Sequence, residues 1–310
     1  MGAGWMGRAL LRVLVVLAAL APLSAAAGEA KLKAVATFSI LADLVAQVGG
    51  DRVAVTSLVG PDADAHGYSP APGDARRVAE ADLVVVNGLG FEGWIERLIR
   101  ASGTKAPVVT ASAGIKTIPA SEEHDHDHGH SHGEGDHPDP HAWQSVANVK
   151  TYVANIRDAL AKADPDHAAD YSARAAAYTE QLAALDGEIR AGLATIPEGQ
   201  RRVITTHDSF GYYAAAYGLR FLAPQGISTN SEAGPKDVAR IIRQIRRDKV
   251  PAVFVESIAD PRLMQQIARE SGAKVGARLF SDALSGPTGP APTYLDMMRA
   301  NLKAFREALS

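Results

Sequence analysis

"PDHAADYSARAAAYTEQLAALDGEIRAGLATIPE" spans Pro165–Glu198, and its reading decides the fold. The stretch is alanine-rich and carries no strand signal. Tyr171, Tyr178, Leu182, Leu185 and Ile189 recur at mostly three- and four-residue steps, the spacing of one buried helix face. It reads as one long helix that joins whatever lies on either side of it. A helical link is stiffer than a pair of extended hinge strands, so it implies small tilting between the joined parts rather than a wide clamshell opening.

Outward from that helix, the same order of elements occurs twice. Before it, "KLKAVATFS", "VAVTSLVG", "DLVVVNGLG" and "APVVTAS" read as strands, separated by the helical stretches "ILADLVAQVGG", "PGDARRVAEA" and "FEGWIERLIRASG". After it, "RRVITTHDS", "RFLAPQGI", "PAVFVES" and "KVGARLF" read as strands, and "FGYYAAAYGL", "PKDVARIIRQIRRDKV" and "PRLMQQIARESG" as helices. "TYLDMMRANLKAFREAL" closes the chain as a helix. Strands alternating with helices predict parallel sheets covered on both faces. The expected organisation is therefore α/β: a first lobe over residues 28–164, a linker helix over 165–198 and a second lobe over 199–310.

Residues 1–27 read as a cleaved secretory signal, with Arg8 and Arg12 before the apolar "LLRVLVVLAALAPL" and the small residues "SAAAG". An uncleaved anchor is the competing reading. With cysteine absent, there is no residue for lipid attachment at the cleavage site. The expectation is a soluble exported protein, periplasmic in a bacterium with two membranes and not a lipoprotein. The missing cysteine also excludes thiolate metal sites, a cysteine nucleophile and disulfides. A net charge of −3 over 310 residues gives no electrostatic case for nucleic acid.

In open α/β sheets, ligands sit beyond the carboxyl ends of the strands. Four polar residues follow strands at the same predicted end. His66 lies in "GPDADAHGYSPAP", His141 in "HPDPHAW", His207 in "ITTHDSFGYY" and Asp282 in "LFSDALS". Three imidazoles and one carboxylate complete a tetrahedral zinc site. The plainer alternatives stand beside this: a loop histidine on the surface, and an aspartate that caps a turn. Glu256, at the end of the strand "PAVFVES", is placed to orient a ligand imidazole or to reach solvent. Asp208 could do similar work or cap the following helix.

"GPDADAHGYSPAPGDARRVAEADLVVVNGLGFEGW", "DPHAW", "THDSFGYYAAAYGL" and "PAVFVES" together resemble the metal-binding solute-binding proteins of ABC transporters, closest to the periplasmic zinc-uptake type (ZnuA/AztC-like). The resemblance covers essentially the whole chain after the signal. It implies two Rossmann-like lobes joined by one long helix, with a metal site in the inter-lobe cleft. It also implies that His66, His141, His207 and Asp282 are the ligands. Manganese- and iron-carrying members tend to have Glu where His207 stands, which points to Zn(II). The implied partners are an inner-membrane permease and its cytoplasmic ATPase; this chain shows no "GxxxxGK" phosphate loop of its own. The competing functions are manganese or iron carriage, metal buffering, and a secreted zinc hydrolase. Four protein ligands and the lack of an "HExxH" pair argue against the hydrolase.

"EEHDHDHGHSHGEGDHPDPHAWQS", Glu122–Ser145, holds seven of the ten histidines. Residues 119–140 have almost no apolar side chain to offset their ordering entropy and read as a mobile loop. His124, His126, His128, His130, His132 and His137 offer overlapping, unarranged ligands, expected to bind zinc more weakly than a closed site. The loop reads as an accessory that supplies the built site, either directly or after docking of a periplasmic metallochaperone. Nothing suggests an obligate oligomer, so a monomer is expected.

Overall fold

The computed structural model describes Met1, residues 31–120 and residues 138–310. The signal reading and the six histidines of the accessory stretch fall outside the described residues. Lys31–Ser310 forms one compact unit.

Within that unit, β1 (Leu32–Phe38), β2 (Val53–Val59), β3 (Leu83–Val86) and β4 (Val108–Thr110) make a parallel sheet ordered β2-β1-β3-β4. Every residue of β3 is buried, because helices cover both faces of the sheet. These are α1 (Ser39–Gly49), α2 (Pro72–Ala79), α3 (Ile95–Ser102) and α4 (Val146–Ala163). The expected linker is α5 (Ala168–Ala194), a helix of 27 residues.

The second half repeats the order. β5 (Arg202–Ile204), β6 (Arg220–Leu222), β7 (Ala252–Val253) and β8 (Lys274–Val275) pair in parallel as β6-β5-β7-β8. α6 (Gly211–Tyr217), α7 (Pro235–Asp248), α8 (Pro261–Ser271) and α9 (Tyr294–Leu309) complete it. The chain is thus an α/β protein of two lobes.

Two features differ from the simple reading. β7 and β8 each keep only two ladder residues, although longer strands are expected. A side chain at Gly276 would put its Cβ 2.4 Å from the Phe254 ring, so only glycine lets the chain pass there. Pairing resumes at a single bridge, Glu256 to Leu279. The second difference is that α5 is not a bare strut. Its buried face, Tyr171, Ala175, Tyr178, Leu182, Leu185, Ile189 and Leu193, packs against α1, α4 and α9. One apolar core runs continuously from the first sheet through α5 to α6 and α9. A smaller separate core lies under α7 and α8.

Candidate metal centre

The second lobe places its site residues where its strand order reverses. β5 runs into Thr206 and His207, and β7 runs into Glu256. Glu256 Oε1 accepts the peptide N–H of Thr206 at 2.8 Å and of His207 at 2.9 Å. Its other oxygen, Oε2, lies 2.6 Å from His207 Nδ1. The carboxylate therefore holds the backbone by hydrogen bonds and stands against the ring nitrogen as an ion pair, with Nε2 on the cleft side.

His141 is set by its own segment. Asp139 Oδ1 accepts the His141 peptide N–H at 2.8 Å and sits 2.8 Å from His141 Nδ1. Asn87 Nδ2 donates to the Pro140 carbonyl at 2.9 Å. Asn87 is itself held by Tyr152 Oη, and by buried Glu92 through its peptide N–H. His66 sits on the loop after β2. Asp64 Oδ1 accepts its N–H at 2.8 Å, and Trp94 Nε1 donates to the preceding Ala65 carbonyl at 2.8 Å. The His66 ring lies edge-on to Phe91, with centroids 4.6 Å apart. Asp282 is held through its neighbour: the Ser281 carbonyl accepts Trp143 Nε1 and Gln144 Nε2, both at 2.8 Å.

These four side chains meet. His66 Nε2 is 3.1 Å from His141 Nε2 and 3.4 Å from Asp282 Oδ2. His207 Nε2 is 3.1 Å from Asp282 Oδ2, and His141 Nε2 is 3.8 Å from Asp282 Oδ1. One ligand atom from each lies within 4.8 Å of all the others, and all four residues are buried. A tetrahedral ion with bonds of 2.0–2.1 Å has ligand–ligand edges of about 3.3–3.4 Å, which the observed distances bracket. The electrostatics agree. Neither Asp282 oxygen accepts a well-formed hydrogen bond among the described residues. A buried carboxylate of that kind needs a cation beside it.

The charge states follow from the packing. Burial pushes Asp282 upward, but His207 and His141 outweigh it and hold the carboxyl well below its usual range. Burial pushes His207 down, while Glu256 and Asp282 outweigh it and lift the imidazole well above its ordinary value. His66 is lowered by burial, which the Asp282 carboxylate only partly offsets. Without metal, the proton between the two carboxylates therefore rests on His207, and His66 stays neutral.

The residue flanking α6 is Phe210, two positions after Asp208. Asp208 is half-buried and its N–H donates to the Gly226 carbonyl. The sequence reading passed over Asp139. A signal was present, since Asp-x-His occurs twice, at Asp64–His66 and Asp139–His141. In both places the aspartate accepts the N–H of the histidine two residues on, a local turn that presets that histidine.

Residues 34–308 match the family model described as "Zinc-uptake complex component A periplasmic" (ZnuA). The iron-binding protein YfeA of Yersinia pestis is 36% identical over 285 residues, 92% of this chain and 88% of YfeA. The manganese ABC transporter substrate-binding lipoprotein PsaA of Streptococcus pneumoniae is 31% identical over 286 residues, 90% of this chain and 89% of PsaA. Among solved structures, the periplasmic zinc binding protein TroA from Treponema pallidum superposes with a TM-score of 0.82 at 30% identity, over 91% of this chain and 100% of TroA. One expectation is corrected by these relatives. PsaA is named a lipoprotein, so kinship gives no support to a protein free of any lipid anchor, and that reading is withdrawn. Metal binding, a transport role and the absence of enzymatic activity follow from the kinship, together with a membrane permease and ATPase as partners. The chain belongs to the periplasmic zinc-uptake component A family, the metal-binding substrate-binding proteins of ABC transporters.

Proposed function

We propose that the cargo is Zn(II), bound by His66, His141, His207 and Asp282 and handed to the permease for import. The observation that carries this reading is the meeting of three imidazole Nε2 atoms and one carboxylate in a buried cluster. Imidazole nitrogen suits zinc, whereas sites rich in carboxylate and water suit manganese. Binding is a capture step: the ion displaces the His207 proton, neutralises Asp282 and ties both lobes to one centre. The histidines at 124–137 act as a weaker accessory that keeps zinc near the cleft, by an intramolecular step that tethering favours. A metallochaperone docking there would serve the same end, and the carrier works as a monomer.

The test is a zinc titration against a chromophoric chelator, with H207A and a form lacking residues 122–137 beside the parent. One tight zinc in the parent and in the deletion is expected. H207A should lose more than the roughly 10–100-fold that removing an outer partner costs. Loss of tight binding on deletion would move the site to the histidine run. A second reading, manganese or iron carriage, is favoured by the names of PsaA and YfeA. Zinc outcompetes manganese at most nitrogen sites whatever the biological cargo, so growth discriminates better than affinity. A strain without the protein should fail in zinc-depleted medium; failure only in manganese- or iron-depleted medium would overturn the zinc reading.

A further inference from the structure

His66 and Asp282 reach the centre from opposite lobes, and the segment around Asp282 is bonded across the cleft on both sides. Before Asp282, the Ser281 carbonyl takes the Trp143 and Gln144 donors, whose side chains are fully buried. After it, the Leu284 carbonyl accepts the Asp62 peptide N–H at 2.8 Å, and Asp62 Oδ2 accepts the Gly286 N–H at 3.2 Å. Asp62 lies four residues before His66 and is exposed. Its φ of +54° makes it one of three left-handed non-glycine residues among those described. That conformation is uncommon, and aspartate is among the few types that tolerate it. Here it points both the N–H and the carboxylate of Asp62 at one short stretch of the other lobe.

The two sets of bonds differ in how readily they part. Exchanging an exposed hydrogen bond for bonds to water costs a modest several-fold in an equilibrium constant, whereas a buried carbonyl stripped of its donors is left unsatisfied. A surface cavity of about 510 Å³, lined by Asp62, Phe280, Ser285 and Gly286 among others, gives water access to the outer bonds. The bond of Asp62 to Gly286 is exposed, whereas the other ties nearby are more enclosed: Thr229 Oγ1 donates to Asp64 Oδ2 at 2.7 Å, and Ser39 Oγ accepts the Leu284 N–H at 3.0 Å.

We propose that Asp62 is a positioning residue that governs metal release, clasping the His66 loop to the stretch that follows Asp282. This rests on the four-residue site described above. The test is stopped-flow transfer of zinc from the loaded protein to a chelator, for the parent, D62N and D62G. Asparagine tolerates the left-handed backbone and keeps an acceptor for Gly286; glycine tolerates the backbone and has none. The expected result is release from D62N within about twofold of the parent and from D62G about fivefold faster or more, with association unchanged. Melting of the metal-free forms is followed in parallel, because a merely structural role would lower it in D62G without changing release. Equal release from all three proteins, or equal acceleration in D62N and D62G, overturns the clasp. A parent that binds no zinc stoichiometrically removes the site and the clasp together, whereas one bound zinc with equal release removes the clasp alone.

Discussion

Asp139 and Glu256 illustrate how much of this candidate centre lies behind its histidines. Each carboxylate faces an imidazole Nδ1, so each ring presents Nε2 to the cleft before any ion arrives. D139N keeps the size of the side chain but weakens the acceptor. It should lower zinc affinity about 10–100-fold while leaving the circular dichroism spectrum unchanged, and a chelator titration measures it. Protons compete with the ion at the same atoms. Because His207 is raised well above 6.5 in the metal-free state, it still carries its proton at neutral pH. Zinc binding there should release about one proton per ion, readable with an indicator dye in weak buffer. Affinity should fall steadily as pH falls.

The same groups set the stability of the metal-free protein. The folded-state value of His207 is raised, so its contribution is complete below about 6.5 and is lost as pH rises through the raised value. Asp282 is lowered, so its contribution is complete above about 3.8 and is lost as pH falls through the depressed value. Zinc should therefore raise the melting temperature more at pH 9 than at pH 6, since metal-free stability wanes just as binding strengthens. Scanning calorimetry at the two values checks this. Asp-x-His was readable at His66 and at His141. The contact of Glu256 with His207 was only a possibility, because the two residues lie 49 positions apart and nothing local links them.

Among the elements, α5 carries the clearest test. Leu185 is fully buried between α5 and its neighbours. Leu185→Ala should cost about 2–5 kcal/mol through lost transfer energy and a residual cavity, measured by urea unfolding. The face of this helix was legible because three- and four-residue periodicity is a local property. Beyond α4, its neighbour in sequence, what it packs against was not, since α1 and α9 come from far along the chain. The short β7 and β8 show the converse. Their apolar runs promised longer strands, but beyond the Gly276 N–H bond to the Val253 carbonyl the segments pair again only at the Glu256–Leu279 bridge, and Gly276 passes close against the Phe254 ring. A close approach between the side chain of one segment and the backbone of another leaves no trace in either segment alone.

For the whole molecule, the continuous core through α5 opposes wide separation of the lobes. Tyr294 Oη donates to the Trp143 carbonyl, and its peptide N–H donates to Asp43 Oδ2 on α1. The last helix is thus tied to the first lobe. Small-angle scattering should find no resolvable change in radius of gyration between metal-free and zinc-loaded protein, as expected of tilting rather than hinge closure. A clear compaction on zinc binding would show that the core parts.

The sequence by itself determined the alternation of strands and helices, the long joining helix and the residue types of the centre. Each of those is written in local pattern: periodicity, turn residues, and histidines at strand ends. Only the tertiary structure decided that four side chains spread from His66 to Asp282 meet within 4.8 Å. It alone paired Glu256 with His207, added Asp139 beside His141, and revealed the bonds of Asp62 across the cleft. Those relations depend on how two sheets and a shared core set distant segments side by side, and no spacing along the chain encodes that distance.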